Sequence, residues 1–221
     1  IKEVNTMTKK QMESEAVLTV GSGLSKTTKM PCSSFNLSAL DCITGSKLVK
    51  IEDTVCFGCY ALDGNYRRFN WINKMRPKTE KIMNDGWIDS MVWLINNTNK
   101  GDKEYFRWHD SGDIQSLEHL KKIVEVCKQT PTVKHWLPTR EYKFIRDFLF
   151  WEEFPDNLIV RLSAHLIDKL PPSMRGVCGS TVTKNDEPLG FSCPSNTQEN
   201  KCLDCRMCWN KSVDIVSYNY H

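Results

Sequence analysis

Four cysteines near the carboxyl end constrain this chain more than any other feature of its sequence. Cys193 is followed by Cys202, Cys205 and Cys208, and two residues separate each of the last three from the next. This tight spacing lets the backbone curl around one point and bring thiolates together, as zinc and iron–sulfur clusters require of their ligands. A disulfide framework and scattered core cysteines are the alternatives, and the spacing favours a metal site over both.

A second group of cysteines lies in the amino-terminal third of the chain. Cys56 and Cys59 form a CxxC pair, Gly58 lets the backbone turn between them, and Cys42 lies upstream. A redox dithiol would also explain the CxxC pair. Cys32 fits either a further ligand or a buried structural thiol. The predicted metal ligands, which suffice for one cluster or two, are Cys42, Cys56, Cys59, Cys193, Cys202, Cys205 and Cys208.

The composition is typical of an ordinary cytoplasmic protein. The chain has 221 residues, 40% hydrophobic and 26% charged, which is enough for a substantial core. It has no apolar run long enough for a membrane span and no signal-peptide pattern, so we expect a reducing cytoplasm and no membrane partner. A net charge of +3 without a long basic run argues against nucleic acid. An unidentified small molecule or redox protein is the expected partner, and the sequence does not specify an oligomeric state.

Alternating strand and helix patterns predict an α/β fold with a parallel sheet, as in (β/α) barrels and open α/β sheets. The main predicted strands cover residues 33–40, 105–109, 133–137 and 158–163, and a further short strand is predicted at 17–20. A helix over 66–76 is expected to end at Pro77. We expect residues 1–170 to form this α/β unit and residues 171–221 to form a cysteine-rich segment packed on the same domain.

Polar side chains collect at or just after the carboxyl ends of the predicted strands, where parallel α/β folds build their sites. The predicted cofactor-binding residues are His109, Asp110, Asp113, Arg140, Ser163 and His165. An alternative for Asp113 is that it only caps a helix beginning at Ile114. Arg107, Arg140 and Arg161 are candidates for holding an anion, and inward ion pairs would explain Arg107 and Arg161 equally well.

Several of these motifs resemble the phage "gene product 88" family. The likeness begins near residue 30 and rests most on Cys56-Phe-Gly-Cys-Tyr-Ala61 and Arg107-Trp-His-Asp-Ser-Gly-Asp113. The order of Asp41-Cys42, Asn157-Leu-Ile-Val-Arg-Leu-Ser163 and the terminal cysteines ending at Trp209 agrees with it. The resemblance implies a viral iron–sulfur protein in the cytoplasm of the infected host.

A looser likeness links the chain to radical S-adenosylmethionine (SAM) enzymes. It implies a partial (β/α) barrel over residues 1–170, with a 4Fe–4S cluster on Cys42, Cys56 and Cys59 after the first strand. It also implies an auxiliary cluster on the terminal cysteines and SAM as a further cofactor. The chain departs from that family's CxxxCxxC motif, because Cys42 lies far upstream of the CxxC pair. An enzyme and an electron carrier are both consistent with this interpretation. A zinc-binding structural or nucleic-acid accessory protein and a thiol-redox protein are the other hypotheses.

Overall fold

A seven-stranded, wholly parallel sheet organises the computed structural model, which describes residues 7–184 and 187–220. The strands are β1 (Ser34–Phe35), β2 (Tyr105–Trp108), β3 (Lys134–Thr139), β4 (Leu158–Ser163), β5 (Cys178–Thr183), β6 (Phe191–Ser192) and β7 (Ile215–Asn219). They lie in the order β1-β2-β3-β4-β5-β7-β6, and every neighbouring pair is parallel. The predicted α/β class with a parallel sheet is therefore confirmed.

The connections between the first four strands carry the long helices. The helices are α1 (Lys9–Val20), α2 (Gly45–Leu48), α3 (Gly64–Arg68), α4 (Trp71–Lys74), α5 (Arg76–Lys81), α6 (Trp87–Thr98), α7 (Leu117–Gln129) and α8 (Tyr142–Leu149). Helix α6 precedes β2, α7 joins β2 to β3, and α8 joins β3 to β4. Neighbouring helices of this series contact one another, and α1 packs against α6.

The two faces of the sheet bury different sets of side chains, because successive side chains of a strand point to opposite faces. Alternate residues of β2, β3 and β4 enter the hydrophobic core shared with the helices: Phe106, Trp108, Leu137, Leu158, Val160 and Leu162. The residues between them face the other way, toward the carboxyl-terminal segment. On that face Trp136 packs against Trp209, with ring centroids 5.2 Å apart.

The carboxyl-terminal segment is joined to the sheet by strands and by Arg161. Residues 171–221 contribute β5, β6 and β7, three of the seven strands in the described part of the chain. Arg161, in the middle of β4, has no exposed surface. Its guanidinium donates hydrogen bonds to the backbone carbonyls of Gly179, Met207, Cys208, Asn210, Val213 and Asp214. Neither predicted role for Arg161, an anion contact or an ion pair, is found among the described residues, because backbone carbonyls take up its donors.

The amino-terminal region differs from its predicted structure. Residues 17–20 end helix α1 rather than forming a strand, because both helix ends are capped. Thr8 and Gln11 form a reciprocal capping box, and Gly21 ends the helix in a left-handed conformation. The buried face of α1, which includes Ala16 and Val20, packs on α6. Tertiary contact and caps outweigh the strand preference of a short β-branched run.

Two further elements are shorter than predicted. Only Ser34–Phe35 of the expected strand 33–40 pairs with β2, since the amide of Leu37 instead donates to Ser111 O at 3.0 Å. The expected helix 66–76 is divided into α3, α4 and the start of α5, and Pro77 lies in the first turn of α5. No helix in the described part of the chain combines the length and apolar character needed to cross a bilayer.

Buried histidines should make the fold labile to acid. Burial lowers the pKa of His119 and of His135 from 6.5 to about 3, and burial also holds the pKa of His109 well below 6.5. Below pH 6.5 the unfolded chain therefore binds three protons that the folded chain does not bind, and each lowers the free energy of unfolding by about 1.4 kcal/mol per pH unit. Burial raises the pKa of Asp113 from 3.8 to about 6, which offsets roughly one of the three histidines below pH 6.

We therefore expect urea unfolding to report a net loss of about 5 kcal/mol between pH 6 and pH 4. The variant His119→Gln cannot take up a proton at this position. It should flatten that dependence by about 1.4 kcal/mol per pH unit whatever its stability at pH 7. An unchanged slope would show that His119 titrates alike in both states.

Candidate functional site

Two thiols of the first cysteine group, those of Cys42 and Cys56, lie beside Gly45. A side-chain carbon built on Gly45 would lie 3.6 Å from the Cys42 sulfur and 3.8 Å from the Cys56 sulfur. Burial raises the pKa of Cys42, and the charges of Asp113, Cys59 and Cys56 raise it further. All ten cysteines of the chain are free thiols. The Cys42 and Cys56 thiols therefore flank Gly45, and Cys59 lies near enough to affect the pKa of Cys42.

The loop that carries these cysteines is attached to the carboxyl ends of three strands. After β3, the Glu141 carboxylate accepts hydrogen bonds from the Thr44 amide at 2.8 Å and the Thr44 hydroxyl at 2.9 Å. After β4, the His165 carbonyl accepts from the amide of Val55 at 3.0 Å. After β2, the Asp110 carbonyl accepts from the hydroxyl of Tyr60 at 2.5 Å. The first cysteine group thus lies over the carboxyl edge of the sheet.

Asp113 joins the ends of β2 and β3 beside the thiols. Its carboxylate accepts hydrogen bonds from the Ile114 amide, the Thr139 hydroxyl and the Arg140 amide at 2.8, 2.6 and 2.9 Å. Burial raises its pKa to about 6 against the opposing effect of these bonds. Its charge raises the pKa of Cys42. The helix-cap alternative is wrong, because helix α7 begins at Leu117 and Ser116 caps it.

A group of residues joined by hydrogen bonds and ring stacking adjoins Asp113. It includes Arg140, Ser163 and His165. The Arg140 guanidinium lowers the pKa of Cys42 and of Cys56, although burial keeps both above the ordinary value. His165 Nε2 donates to the Arg140 carbonyl at 3.1 Å, and the imidazole stacks on Tyr142 with centroids 4.2 Å apart. The Tyr142 hydroxyl donates to the Ser163 carbonyl at 2.5 Å. Among the described residues, the buried Arg140 Nε has no hydrogen-bond partner.

His109 and Asp110 lie differently from the other predicted cofactor-binding residues. His109 has a positive φ of 53° and packs against Trp108 and His119, on the helical side of the sheet. Burial holds its pKa well below 6.5, and neither ring nitrogen has a partner within the described chain. The buried carboxylate of Asp110 raises the pKa of Lys78, opposing the larger effect of burial on that lysine. Ligand contacts by these two residues stay predictions.

The four cysteines near the carboxyl end form a second group. Cys205 donates its amide to the Cys202 carbonyl at 2.9 Å, which closes a turn through Leu203 with φ 42°. The charge of Cys193 raises the pKa of Cys202 and of Cys208, in each case after the effect of burial. The Cys208 sulfur lies 3.2 Å from the hydroxyl of Tyr218 on β7. Since Arg161 binds the Cys208 carbonyl, this group is tied to the middle of the sheet.

Cys32 lies beside the second group. It is fully buried in a small cluster with Met30, Trp136 and Trp209, against which Cys202 and Cys208 pack. Burial raises its pKa to about 12. Both sequence alternatives for Cys32, ligand and structural thiol, therefore remain consistent with its position.

A single metal ion has no ready-made site here. Across residues 7–184 and 187–220, no three or more His, Cys, Asp or Glu side chains converge closely enough to hold one. The sequence analysis also missed residues that shape the first cysteine group, namely Thr44, Gly45, Glu141 and Tyr142. Glu141 directly follows Arg140 at a strand end, so the strand-end pattern could have identified it. Thr44 and Gly45 lie inside a loop, where no periodic signal indicates their contacts.

Comparison with known families matches residues 2–211 of the chain to the family model described as Gene product 88. No curated protein and no solved structure matches the chain.

Proposed function

The chain belongs to the Gene product 88 family, and we propose that it is an iron–sulfur protein whose Cys42, Cys56 and Cys59 hold a 4Fe–4S cluster. One observation carries the proposal: the Cys42 and Cys56 thiols flank Gly45, on a loop attached to the ends of three strands. Thiolates are the usual protein ligands of such clusters. The burial of Cys56 suits a group that must be kept from water.

Zinc and an iron–sulfur cluster both take thiolate ligands, so metal and sulfide content has to distinguish them at the first cysteine group. Bound there, the cluster would supply one-electron transfer at a potential set by burial and hydrogen bonding.

The chain's own residues around this position suit an anionic or polar small molecule. Three thiolates leave one iron of a four-iron cluster without a protein ligand. Arg140 presents an unpartnered guanidinium nitrogen there, and Asp113 holds the Arg140 backbone in place. SAM is the ligand that the radical-SAM likeness suggests. Strands β1 to β5 follow one another across the sheet in chain order, which supports the partial (β/α) barrel of that likeness.

The second group would hold an auxiliary cluster with four thiolates, from Cys193, Cys202, Cys205 and Cys208. The turn at Cys202–Cys205 and the hydroxyl of Tyr218 would orient its ligands. A four-thiolate site leaves no iron open, so electron transfer or structural support is the role that we assign to it. The measured ratio of iron to protein therefore decides whether the chain holds one cluster or two.

The test is anaerobic purification followed by quantification of iron, zinc and acid-labile sulfide. We expect brown protein with matching iron and sulfide. Replacing Cys42, Cys56 and Cys59 by serine should remove the first cluster, and replacing Cys202, Cys205 and Cys208 should remove the second. Cys178→Ser changes a partly exposed thiol outside both groups and should leave both contents unchanged. A change in the visible or EPR spectrum on adding SAM, lost only in the first triple variant, would identify an open iron.

Gly45 offers a finer test of the first site. In Gly45→Ala the new methyl group would lie 3.0 Å from the Cys42 Cβ, so the cysteine must shift. Iron at the first site should fall, whereas Gly23→Ala, with its nearest contact at 3.9 Å, should have no effect. Stoichiometric zinc without sulfide would replace the proposal by a structural zinc protein. A metal-free, reversibly oxidised CxxC pair would replace it by a thiol-redox protein.

A further inference from the structure

Four aromatic side chains form a continuous series of ring contacts on the surface, which we call the aromatic patch: Tyr60, Tyr66, Phe69 and Trp71. The ring centroids of successive contacts, Tyr60–Tyr66, Tyr66–Trp71 and Trp71–Phe69, are 5.9, 5.9 and 5.4 Å apart. Tyr60 is 64% exposed, Phe69 47% and Trp71 45%. Contiguous exposed aromatic surface of this kind marks an interaction site more often than a single exposed ring does.

The aromatic patch is surrounded by positive charge. Residues 60–81 contain six basic and two acidic residues, and all of the basic residues except the buried Lys78 keep exposed surface. Arg67, Arg68 and Lys74 are exposed and form no ion pair within the described chain. The Arg68 guanidinium lies over the Phe69 ring, 5.5 Å from its centroid. Arg76 pairs with Asp41 at 3.6 Å but keeps 58% of its side chain exposed.

We propose that the aromatic patch and its cations bind single-stranded nucleic acid. Exposed rings stack on bases of any sequence, and lysine or arginine beside them follows the phosphates, which is how sequence-tolerant single-strand binders work. Asn65, Asn70 and Asn73 are interleaved with the rings and offer amides to base edges and sugars. This overrides the expectation drawn from net charge, because an average over 221 residues conceals a local excess.

A second exposed aromatic pair in the chain provides the contrast. Phe150 and Trp151 contact each other at 4.7 Å and are 75% and 81% exposed. Glu152 and Glu153 follow them directly, so their surroundings repel phosphate. Phe150 and Trp151 are more exposed than Phe69 and Trp71 but have acidic neighbours, so this pair is a control for exposed rings without positive charge.

The aromatic patch also adjoins the first cysteine group. Tyr60 follows Cys59, and its hydroxyl donates to the Asp110 carbonyl at the end of β2. A single-stranded nucleic acid bound to the aromatic patch would therefore pass the carboxyl edge of the sheet. The binding surface itself contains no cysteine, so its test is independent of the iron–sulfur proposal.

The experiment measures fluorescence anisotropy of labelled oligonucleotides of about 15 nucleotides, a length within the site sizes of single-strand binders, against the full chain. The probes are oligo-dT, oligo-rU and a duplex of matched length. We expect the single strands to bind more tightly than the duplex, with affinity falling steeply between about 50 and 200 mM salt. The ratio of the affinities for oligo-dT and oligo-rU shows whether the surface prefers DNA or RNA.

Two variants test the surface. Phe69→Ala with Trp71→Ala should weaken binding by about tenfold or more, and Arg67→Glu with Arg68→Glu should both weaken it and reduce the salt dependence. Phe150→Ala with Trp151→Ala should bind as the unaltered chain does. Far-UV circular dichroism and iron content must match among all proteins compared.

Three outcomes would overturn the proposal. The first is no binding of any oligonucleotide by folded protein. The second is equal loss of affinity in the control variant. The third is association with phosphatidylserine vesicles but not with oligonucleotides, because basic aromatic surfaces can also bind anionic membranes.

Discussion

Replacing Arg161 by methionine should lower the free energy of unfolding by about 4 kcal/mol or more, enough to unfold many proteins of this size. The arginine has no exposed surface and donates to six backbone carbonyls. Methionine fills similar volume but donates nothing, so those carbonyls lose their partner in a region closed to water. A buried acceptor without a partner costs about 1 to 3 kcal/mol.

The loss should be localised to the carboxyl-terminal segment before it becomes global. All six carbonyls belong to residues 171–221, and five of them lie between Met207 and Asp214, so the second cysteine group should loosen first. Urea unfolding measures the stability, and limited proteolysis measures the opening of this segment. Arg175→Met changes an exposed arginine and should be neutral within about 0.5 kcal/mol.

The variant Arg161→Lys separates the effect of the positive charge from that of the guanidinium geometry. It keeps the charge but has three donors on one nitrogen, so it cannot reach carbonyls on every side of the guanidinium. Arg161→Lys should therefore lose most of what Arg161→Met loses. If Arg161→Met is within about 1 kcal/mol of the unaltered chain, the carbonyls do not depend on this side chain.

Replacing Gly112 by alanine should have the second-largest effect, a loss of about 3 kcal/mol or more. Gly112 has a φ of +76°, which costs a residue with a side chain about 1 kcal/mol or more. Its added Cβ would also lie 2.5 Å from the Leu37 Cβ and 2.9 Å from the Leu37 carbonyl atoms. The backbone of Leu37 cannot move aside freely, because its amide and carbonyl both bond Ser111.

A second glycine with a similar φ separates the steric part of the Gly112→Ala cost from the backbone part. Gly176 has a similar φ of +73° but no heavy atom within 4 Å of the position of a Cβ. Gly176→Ala should therefore lose only the backbone cost of about 1 kcal/mol. The difference between the two variants in thermal or urea unfolding reports the close approach between the ends of β1 and β2. Equal losses in the two variants would mean that the Leu37 contact relaxes.

The candidate site could be predicted in part. The cysteine groups, Asp113, Arg140 and His165 follow from residue type and from their position after apolar strands. The partners that hold them could not be predicted, because Glu141, Tyr142 and Gly45 act through contacts with distant parts of the chain. The ligand roles of the cysteines stay predictions until iron is measured.

The sequence by itself determined the class of the fold and the strand that is buried on both faces. Strand β4 occupies residues 158–163 as predicted, because a continuous run of buried residues has no competing pattern. Only the tertiary structure decided which way His109 points, what Arg161 binds, and that Tyr60, Tyr66, Phe69 and Trp71 share one surface. Periodicity reports the burial of a segment, whereas the partners of a polar or aromatic side chain depend on how distant segments are brought together.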